Sequence, residues 1–317
     1  MFRILHDTHY DFIRWWKQGL AIRIGFIVVG LVFLAVNKLQ FSIEFTGGTL
    51  MQVQFKTPPG ADAMRAAVAA AGYPGAEIQQ FGTPSAYTIR AQLKGADEIV
   101  ARDSTRNQIE RSLHTRFGDT SQVTVGSGEY VGPTVGAELR RDAVKAVLVA
   151  FAITLIYLAI RFEWRFGVAA VVANAHEVFA TFAFLALMRI EFSLTVLAAI
   201  LTVIGYSLND TIIIFDRVRE NLKTSRKESL RDVVNRSINE TLPRSVLTHV
   251  TVLAATLALL FIAGPVIRPF SWIMAFGVTT ATFTSIYISG SLLLWIETTW
   301  PREPGAKRGA ASRVAAE

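Results

Sequence analysis

Apolar residues are concentrated in six long runs along the chain, at 20–36, 143–160, 166–188, 192–215, 246–262 and 270–296. Runs of about 18 apolar residues are long enough to cross the hydrocarbon core of a bilayer as helices. Arg23 stands near the start of the first run, where we expect its side chain to reach back to the membrane interface. The pattern predicts a polytopic α-helical membrane protein with six transmembrane helices.

The polar segment 37–142, between the first and second runs, has a different pattern. It predicts strands at 50–55, 77–81, 87–93 and 121–130, an alanine-rich helix at 61–72 and a second helix at 97–117. This β-α-β-β-α-β order is that of a small ferredoxin-like α+β domain. Because the fold is common, it does not by itself define a function.

Basic residues indicate the orientation of the runs. The net charge is +7, and clusters of Lys and Arg recur in the segments 1–19, 161–165, 216–243 and 301–317. All four segments lie on one side if every run crosses, and that side is cytoplasmic by the positive-inside rule. We therefore expect both termini in the cytoplasm, 37–142 as a periplasmic domain, and transmembrane helices 2–6 in 143–300. Charge distributed in this way does not indicate a nucleic-acid partner.

The cytoplasmic segments and the composition narrow the function classes. The basic loop 216–243 has the pattern of amphipathic helices that lie on the bilayer surface, and 301–317 is a short tail that we expect to be disordered. The chain has no cysteine and no HExxH motif, so no thiolate or zinc site is expected. No nucleophile–base pair stands out either. We expect no metal, no cofactor and no enzymatic activity.

Asp210 is an ionisable residue inside the fourth apolar run. Thr202, Tyr206, Asn209 and Asp210 stand at positions i, i+4, i+7 and i+8, on one stripe of a helix. Charged side chains inside spans are costly, and the default interpretation is a functional site with a partner. Arg244 is the expected partner, because the antiparallel fifth run places it at a similar depth near the cytoplasmic side.

Three further candidate site residues lie in the runs: His176 and Glu177 in the third, and His249 in the fifth. A buried carboxylate near an arginine can take up or release a proton when the helices shift, and one elementary charge crossing 100 mV supplies about 2.3 kcal/mol. The first hypothesis is a proton relay. The alternative is a structural role, in which the buried charges only hold helices together.

Two glycine-rich stretches flank the polar domain, IEFTGGT at 43–49 and YVGPTVGAEL at 130–139. Glycine permits positive φ angles and close backbone approach, so we interpret both stretches as hinges or packed connectors. The residues concerned are Phe45, Thr46, Gly47, Gly48, Thr49, Gly132, Pro133 and Gly136.

The stretches GYSLNDTIIIFDRVREN, NETLPRSVLTHVT, FTGGT and VGPTVGAEL resemble the SecF branch of the SecD/SecF family, in the resistance-nodulation-division superfamily. The resemblance covers nearly the whole chain. It implies that Asp210 and Arg244 are essential for proton coupling. The sequence departs from the usual family pattern at Glu44 and Glu177, where aspartate is common, and at His249, where a small residue is common.

The resemblance also implies a setting in the cell. It implies a multi-pass protein of the bacterial inner membrane that pairs with SecD and works beside the SecYEG translocon, its ATPase SecA and YajC. It further implies that the proton-motive force is used to promote translocation of the emerging preprotein. The alternative is a free-standing transporter subunit of the same superfamily, which six runs and one small domain do not favour.

Overall fold

The structure is a computed structural model that describes residues 8–80, 83–92, 98–118, 122–126, 128–225, 228–264 and 266–300. The predicted tail 301–317 lies outside the described residues. These described residues form ten α-helices, numbered in chain order: α1 Trp16–Asn37, α2 Ile43–Thr46, α3 Ala61–Ala70, α4 Glu98–Phe117, α5 Pro133–Arg161, α6 Trp164–Leu187, α7 Leu194–Thr224, α8 Leu230–Ile262, α9 Arg268–Phe283 and α10 Gly290–Thr299. A 3₁₀ turn at Ile13–Trp15 precedes α1, and a π-helical segment at Thr284–Ser289 joins α9 to α10.

All six apolar runs are helical. Within the described part of the chain, five helical stretches are long and apolar enough to cross a membrane: Ile13–Asn37, Trp164–Leu187, Leu194–Thr224, Leu230–Ile262 and Arg268–Thr299. The run 143–160 lies inside α5, which is not among these five. The chain divides into two compact units, one of Met1–Leu39, Val147–Ile190 and Thr195–Glu317 and the other of Gln40–Ala146 and Glu191–Leu194.

The second unit contains a five-stranded antiparallel sheet. Its strands are β1 Gly48–Phe55, β2 Glu77–Gln80, β3 Ala86–Ala91, β4 Val123–Val125 and β5 Glu129–Val131. The path is β2-β3-β1-β4, and β5 also pairs with β1. The register places Met51 opposite Ile89 and Val53 opposite both Tyr87 and Val125. The predicted element order is therefore observed, with one difference at the last strand.

The last predicted strand, 121–130, is two strands in the structure. Val123–Val125 and Glu129–Val131 both pair with β1. Gly126 and Gly128 lie between them, and the backbone N–H of Gly126 donates to the Gln52 carbonyl oxygen at 2.8 Å. A Cβ added at Gly128 would lie 3.0 Å from the Leu50 carbonyl oxygen. The chain therefore changes pairing along β1 where glycine allows the closest approach.

The sheet carries its core on the face toward α3 and α4. Alternate side chains of β1 and β3 point into this core, as the period of two requires. Its fully buried members include Met51, Val53, Met64, Val68, Ile89, Ile109, Leu113 and Val123. This apolar layer forms the core of the domain that the sequence pattern predicted.

The segment 216–243, predicted as a cytoplasmic loop, has a different structure from the one expected. Helices α7 and α8 continue through most of 216–243 as an antiparallel hairpin, rather than as separate helices on a bilayer surface. The Asn221 amide donates to Ser237 Oγ at 3.0 Å and to Glu240 Oε2 at 2.7 Å. Val218, Val233 and Val234 are completely buried. The apolar positions that suggested a bilayer face instead pack within the protein.

Candidate ion-coupling site

Asp210 lies on the buried face of α7, with only 3% of its surface exposed. Its Oδ1 accepts a hydrogen bond from Ser245 Oγ on α8 at 2.5 Å. Its Oδ2 has no hydrogen-bond partner among the described residues. The carboxylate is therefore buried and only half paired, although a buried ionised group normally needs a partner at each oxygen.

The predicted ion pair between Asp210 and Arg244 is wrong for this structure. Arg244 is exposed, and within the described chain it forms no ion pair. Successive residues of a helix point about 100° apart, so the rotation that turns Ser245 toward α7 turns Arg244 away. The sequence correctly predicted the depth of α8 beside Asp210 but selected the neighbouring residue.

Tyr206 and His249 lie one turn from the Asp210–Ser245 contact, on α7 and α8 respectively. Their rings meet edge to face with centroids 5.0 Å apart. The Nδ1 of His249 lies 2.6 Å from the Ser245 carbonyl oxygen. The other ring nitrogen of His249 is buried and lacks a partner in the described part of the chain. The Tyr206 hydroxyl lies beside the Thr248 side chain of α8. Four polar side chains therefore follow one another along the same helix interface.

The polar stripe predicted on α7 is divided by the structure. Asp210 is buried and Tyr206 is half-buried, whereas Asn209 and Thr202 are exposed. Thr202 donates to the Ala198 carbonyl oxygen of its own helix at 2.7 Å. The exposed members, together with Arg244, lie outside the packed interior of the first unit.

A second buried carboxylate, Glu177 on α6, is fully paired. Its Oε2 accepts from the Arg23 guanidinium at 2.8 Å and from Thr284 Oγ1 at 2.5 Å, and its Oε1 accepts from Thr280 Oγ1. Glu177 is 0% exposed and Arg23 is 7% exposed. The expectation that Arg23 reaches the membrane interface is therefore wrong, because its charge is neutralised inside the bundle.

The Glu177 site depends on helices that are distant in sequence. Arg23 is on α1 and Glu177 is on α6, while Thr280 lies in the last turn of α9 and Thr284 begins the π-helical segment. The two threonines are four residues apart and both donate to the same carboxylate. π-Helical turns are frequent at functional sites. No local motif links these four residues, so sequence reasoning missed the pairing.

Two other polar residues of α6 have no partner within the described ranges. Both ring nitrogens of His176 and both amide atoms of Asn174 lack hydrogen bonds, and Asn174 is 2% exposed. Asn174 was not predicted as a site residue. An asparagine inside a long apolar run was the available signal, because a buried amide needs partners as a charge does.

The two glycine-rich stretches pack against each other inside the second unit. Gly47 and Gly48 have φ angles of 71° and 127°. A Cβ added at Gly136 would lie 2.8 Å from the Gly47 backbone nitrogen, and one at Gly48 would lie 2.8 Å from the Ala91 carbonyl oxygen. Of the two interpretations, hinges or packed connectors, the structure supports packed connectors.

The other motif residues occupy defined positions around this contact. Phe45 and Thr46 end α2, and Thr46 Oγ1 donates to the Ser42 carbonyl oxygen at 3.1 Å. Thr49 is buried in β1 beside Gly48, and its hydroxyl has no partner in the described chain. Gly132 is buried at the end of β5, and Pro133 begins α5. Gly132 and Gly136 are joined by a backbone hydrogen bond of 2.9 Å.

Long apolar helices with carboxylates, an arginine and histidines among them define a multi-pass membrane protein with an ionisable interior. The chain belongs to the SecD/SecF family of protein export membrane proteins. Residues 108–299 match the family model for the SecD/SecF C-terminal region, and residues 32–59 match the SecD/SecF GG motif. The second match contains Gly47 and Gly48.

Named relatives agree with the family models. The chain is 55% identical to protein translocase subunit SecF of Gemmatimonas aurantiaca over 99% of this chain and 95% of the relative. It is 37% identical to the corresponding subunit of Vibrio alginolyticus over 93% and 92% of the two chains. Because these relatives are subunits of a protein translocase, the predicted role in protein export is confirmed and a free-standing transporter is not favoured.

A solved structure shares the fold. The crystal structure of SecDF from Thermus thermophilus, described as a translocon-associated membrane protein, matches with a TM-score of 0.83 at 34% identity over 94% of this chain. A second form of SecDF, called super-membrane-facing, matches with a TM-score of 0.67. This chain spans 40% of the length of either SecDF chain. It therefore corresponds to one part of the SecDF polypeptide.

Proposed function

We propose that this chain is the SecF-type subunit of the export machinery and that it uses the proton-motive force, together with SecD, to promote preprotein translocation through SecYEG. The observation that carries the proposal is the half-paired carboxylate of Asp210, beside an arginine that faces away from it. A buried carboxylate with an unpaired oxygen, such as that of Asp210, is suited to reversible protonation. Arg244, which is exposed in the same region, is available to pair with an acidic residue of another chain.

The exposed face of α7 and α8 supports a membrane partner. Arg244, Thr248 and Thr251 lie on the exposed side of α8, and Thr202 and Asn209 lie on that of α7. Charged and polar side chains in spans face a protein or a water-filled cavity rather than lipid. Helices that carry such groups beside small residues associate closely in membranes. Ala198 and Gly205 are exposed on the same face of α7. We assign this face to SecD helices.

Proton coupling would act along the interface of α7 and α8. Asp210 is the proton acceptor in this proposal, with Tyr206, His249 and His176 as the polar groups that complete the relay and Asn209 and Arg244 on its open side. An acidic residue of the partner would attract the Arg244 guanidinium and change the electrostatic potential at the Asp210 carboxylate. Each elementary charge that crosses the membrane at 100 mV supplies about 2.3 kcal/mol for such rearrangements.

The proposed topology has six spans, with α5 as the second. Leu148, Ile153, Ile156 and Ile160 of α5 are all strongly exposed, as expected for a lipid-facing helix. Both termini would then be cytoplasmic, and 37–142 would be periplasmic. The strand order β2-β3-β1-β4 with two helices supports a ferredoxin-like description of that domain. The domain boundaries given in the sequence analysis belong to the same proposal.

Membership of the SecD/SecF family supports the proposed setting in the cell. We place the chain in the bacterial inner membrane, where SecD, the SecYEG translocon with SecA, YajC, the emerging preprotein and the lipid bilayer are its partners. The proposal involves no nucleic acid, and no cofactor or catalytic residue takes part in it.

Export in cells that carry Asp210→Asn tests the proposal. Asparagine keeps the shape and still accepts from Ser245, but it cannot hold a proton that comes and goes. We expect precursor proteins to accumulate while the amount of the SecD-associated complex stays normal. Glu228→Gln is the matched control, because it also neutralises an acid, one that pairs with Arg236 at the surface. Normal export by Asp210→Asn at a normal amount of complex would overturn the relay.

A further inference from the structure

Glu191–Leu194, the last part of the connection between α6 and α7 together with the first residue of α7, belongs to the second unit. The Phe192 N–H donates to the Gln40 carbonyl oxygen at 2.7 Å, and the Ser42 N–H donates to the Phe192 carbonyl oxygen at 3.0 Å. Phe41 and Phe192 thereby form a parallel β-bridge. A short connection between two helices needs no such pairing, and here its backbone is bound on both sides of Phe192.

A carboxylate from the same unit binds the first residue of α7. Oε2 of Glu44 accepts from the backbone N–H of Leu194 at 2.6 Å and from Ser42 Oγ at 3.1 Å. The first N–H groups of a helix have no partner within the helix, and a negative charge is favourable at this end. The cap of α7 is therefore supplied by a residue 150 positions earlier in the chain.

An arginine and three aromatic rings complete the attachment. Arg90 on β3 pairs with Glu191 and donates to the Phe41 carbonyl oxygen at 3.1 Å, while its other partner is Glu77 at 2.7 Å. The ring of Phe192 lies 5.7 Å from that of Phe41 and 5.3 Å from that of Phe45. Arg90 is 11% exposed at its side chain, so its contact with Glu191 is shielded from solvent.

We propose that Glu191–Leu194 is a coupling strap that ties the start of α7 to the sheet domain, with Glu44 as its positioning residue. Helix α7 runs without interruption from Leu194 to Thr224 and carries Asp210. A helix transmits displacement along its axis, so a shift of α7 is delivered to the residues that hold its first turn. This inference rests on the proposed function and adds the route by which the site acts on the domain.

A disulfide tests whether the strap remains paired with the sheet domain at Phe41 and Phe192 during export. The chain has no cysteine, so Phe41→Cys with Phe192→Cys introduces the only pair. Neighbouring strands lie about 4.7–4.9 Å apart, which is within the Cα–Cα range that a disulfide spans. We expect the oxidised variant, in its complex with SecD, to export within about twofold of its reduced form. Loss of export on oxidation, restored by reductant, would overturn the proposal. The two single-cysteine variants are the controls.

Weakening the strap gives the complementary test. Glu44→Gln and Glu191→Gln should each lower the export rate roughly fivefold, the scale of a lost charge-assisted cap, with the amount of complex unchanged. Glu77→Gln is the matched control, because it removes the partner of Arg90 that lies outside the strap, and its rate should stay near normal. Equal rates in all three variants would contradict the proposal.

Rescue separates positioning from a general structural role. Glu44→Asp keeps the carboxylate and should recover most of the rate. Oxidation of Phe41→Cys and Phe192→Cys in a Glu44→Gln background should also restore export, because the disulfide replaces the lost attachment; failure of both rescues would overturn the assignment. Asp210→Asn in the same assay distinguishes the two proposals. If it exports normally, the proposed function fails; if it is defective while the strap variants are normal, only the strap fails.

Discussion

The two buried carboxylates of the helical unit differ in how completely they are paired. Glu177 accepts from an arginine and two threonines, whereas Asp210 accepts from one serine and keeps an oxygen free. Both are nearly inaccessible to solvent. A buried charge with every position occupied holds helices together, and one with an open position can respond to a proton or a partner. This difference agrees with the proposal that Glu177 holds helices together and that Asp210 takes part in ion coupling.

The packing around each acid agrees with this division. Arg23 lies between Gly19 and Gly30 on the buried face of α1. A Cβ added at Gly30 would lie 2.2 Å from the Ala183 side chain, and one at Gly19 would lie 2.7 Å from the Phe283 ring. Close glycine contacts of this kind hold membrane helices together. Around Asp210, by contrast, Asn209 and Arg244 remain exposed.

The largest effect on stability is expected at the Glu177 site. Arg23→Met removes one partner of a buried ion pair and leaves Glu177 uncompensated, which should cost about 3–5 kcal/mol of stability. Thermal unfolding of the purified protein in detergent measures this loss. Arg65→Met is the control, because Arg65 pairs with Asp62 at the exposed surface and its removal should cost less than about 1 kcal/mol. Equal unfolding temperatures for Arg23→Met and Arg65→Met would contradict the structural role of the Arg23–Glu177 pair, and with it the distinction between Glu177 and Asp210.

An intermediate effect is expected from the hydroxyls that complete the Glu177 site. Thr284→Val keeps the side-chain shape and removes the donor to Oε2, which should cost about 1–3 kcal/mol. Thr282→Val provides the comparison, because Thr282 is on the same helical stretch and donates only to the Val278 carbonyl oxygen. The same unfolding assay applies, and a smaller loss for Thr284→Val than for Thr282→Val would contradict the assignment.

A smaller effect on stability is expected at Asp210. Ser245→Ala removes its one hydrogen bond and should cost about 1 kcal/mol. Because the Asp210 carboxylate then loses its fixed orientation, we expect a clear decrease in the export rate although the free energy of unfolding changes little. Precursor accumulation and unfolding temperature, measured on the same variant, check this split. A large loss of stability with normal export would indicate that Asp210, like Glu177, only holds helices together.

The smallest effect on stability is expected at Tyr206. Its hydroxyl lies beside the exposed side chain of Thr248, so Tyr206→Phe should lower stability by about 0.5 kcal/mol. Reduced export by this variant, at nearly unchanged stability, would place Tyr206 in the relay. Normal export would confine the relay to Asp210 and its direct neighbours.

The failures of prediction share a physical origin. Periodicity identified the apolar helices, the alternation in β1 and the acids at Glu177 and Asp210. Arg23 was expected at the interface because it stands near the start of its run, whereas the acid that neutralises it is 154 positions away. Periodicity selected Arg244 instead of Ser245, because depth along a helix can be estimated from the sequence but rotation about its axis depends on packing.

The sequence by itself determined the apolar helices, the order of strands and helices in the polar domain, the glycine-rich connectors and the presence of ionisable residues inside the spans, since these follow from local spacing and side-chain chemistry. Only the tertiary structure decided which groups meet: Arg23 with Glu177, Ser245 with Asp210, and Glu44 with the first turn of α7. The reason is that a helical pattern specifies which face is buried but not which helix covers it. That choice is made by the packing of segments far apart in the chain.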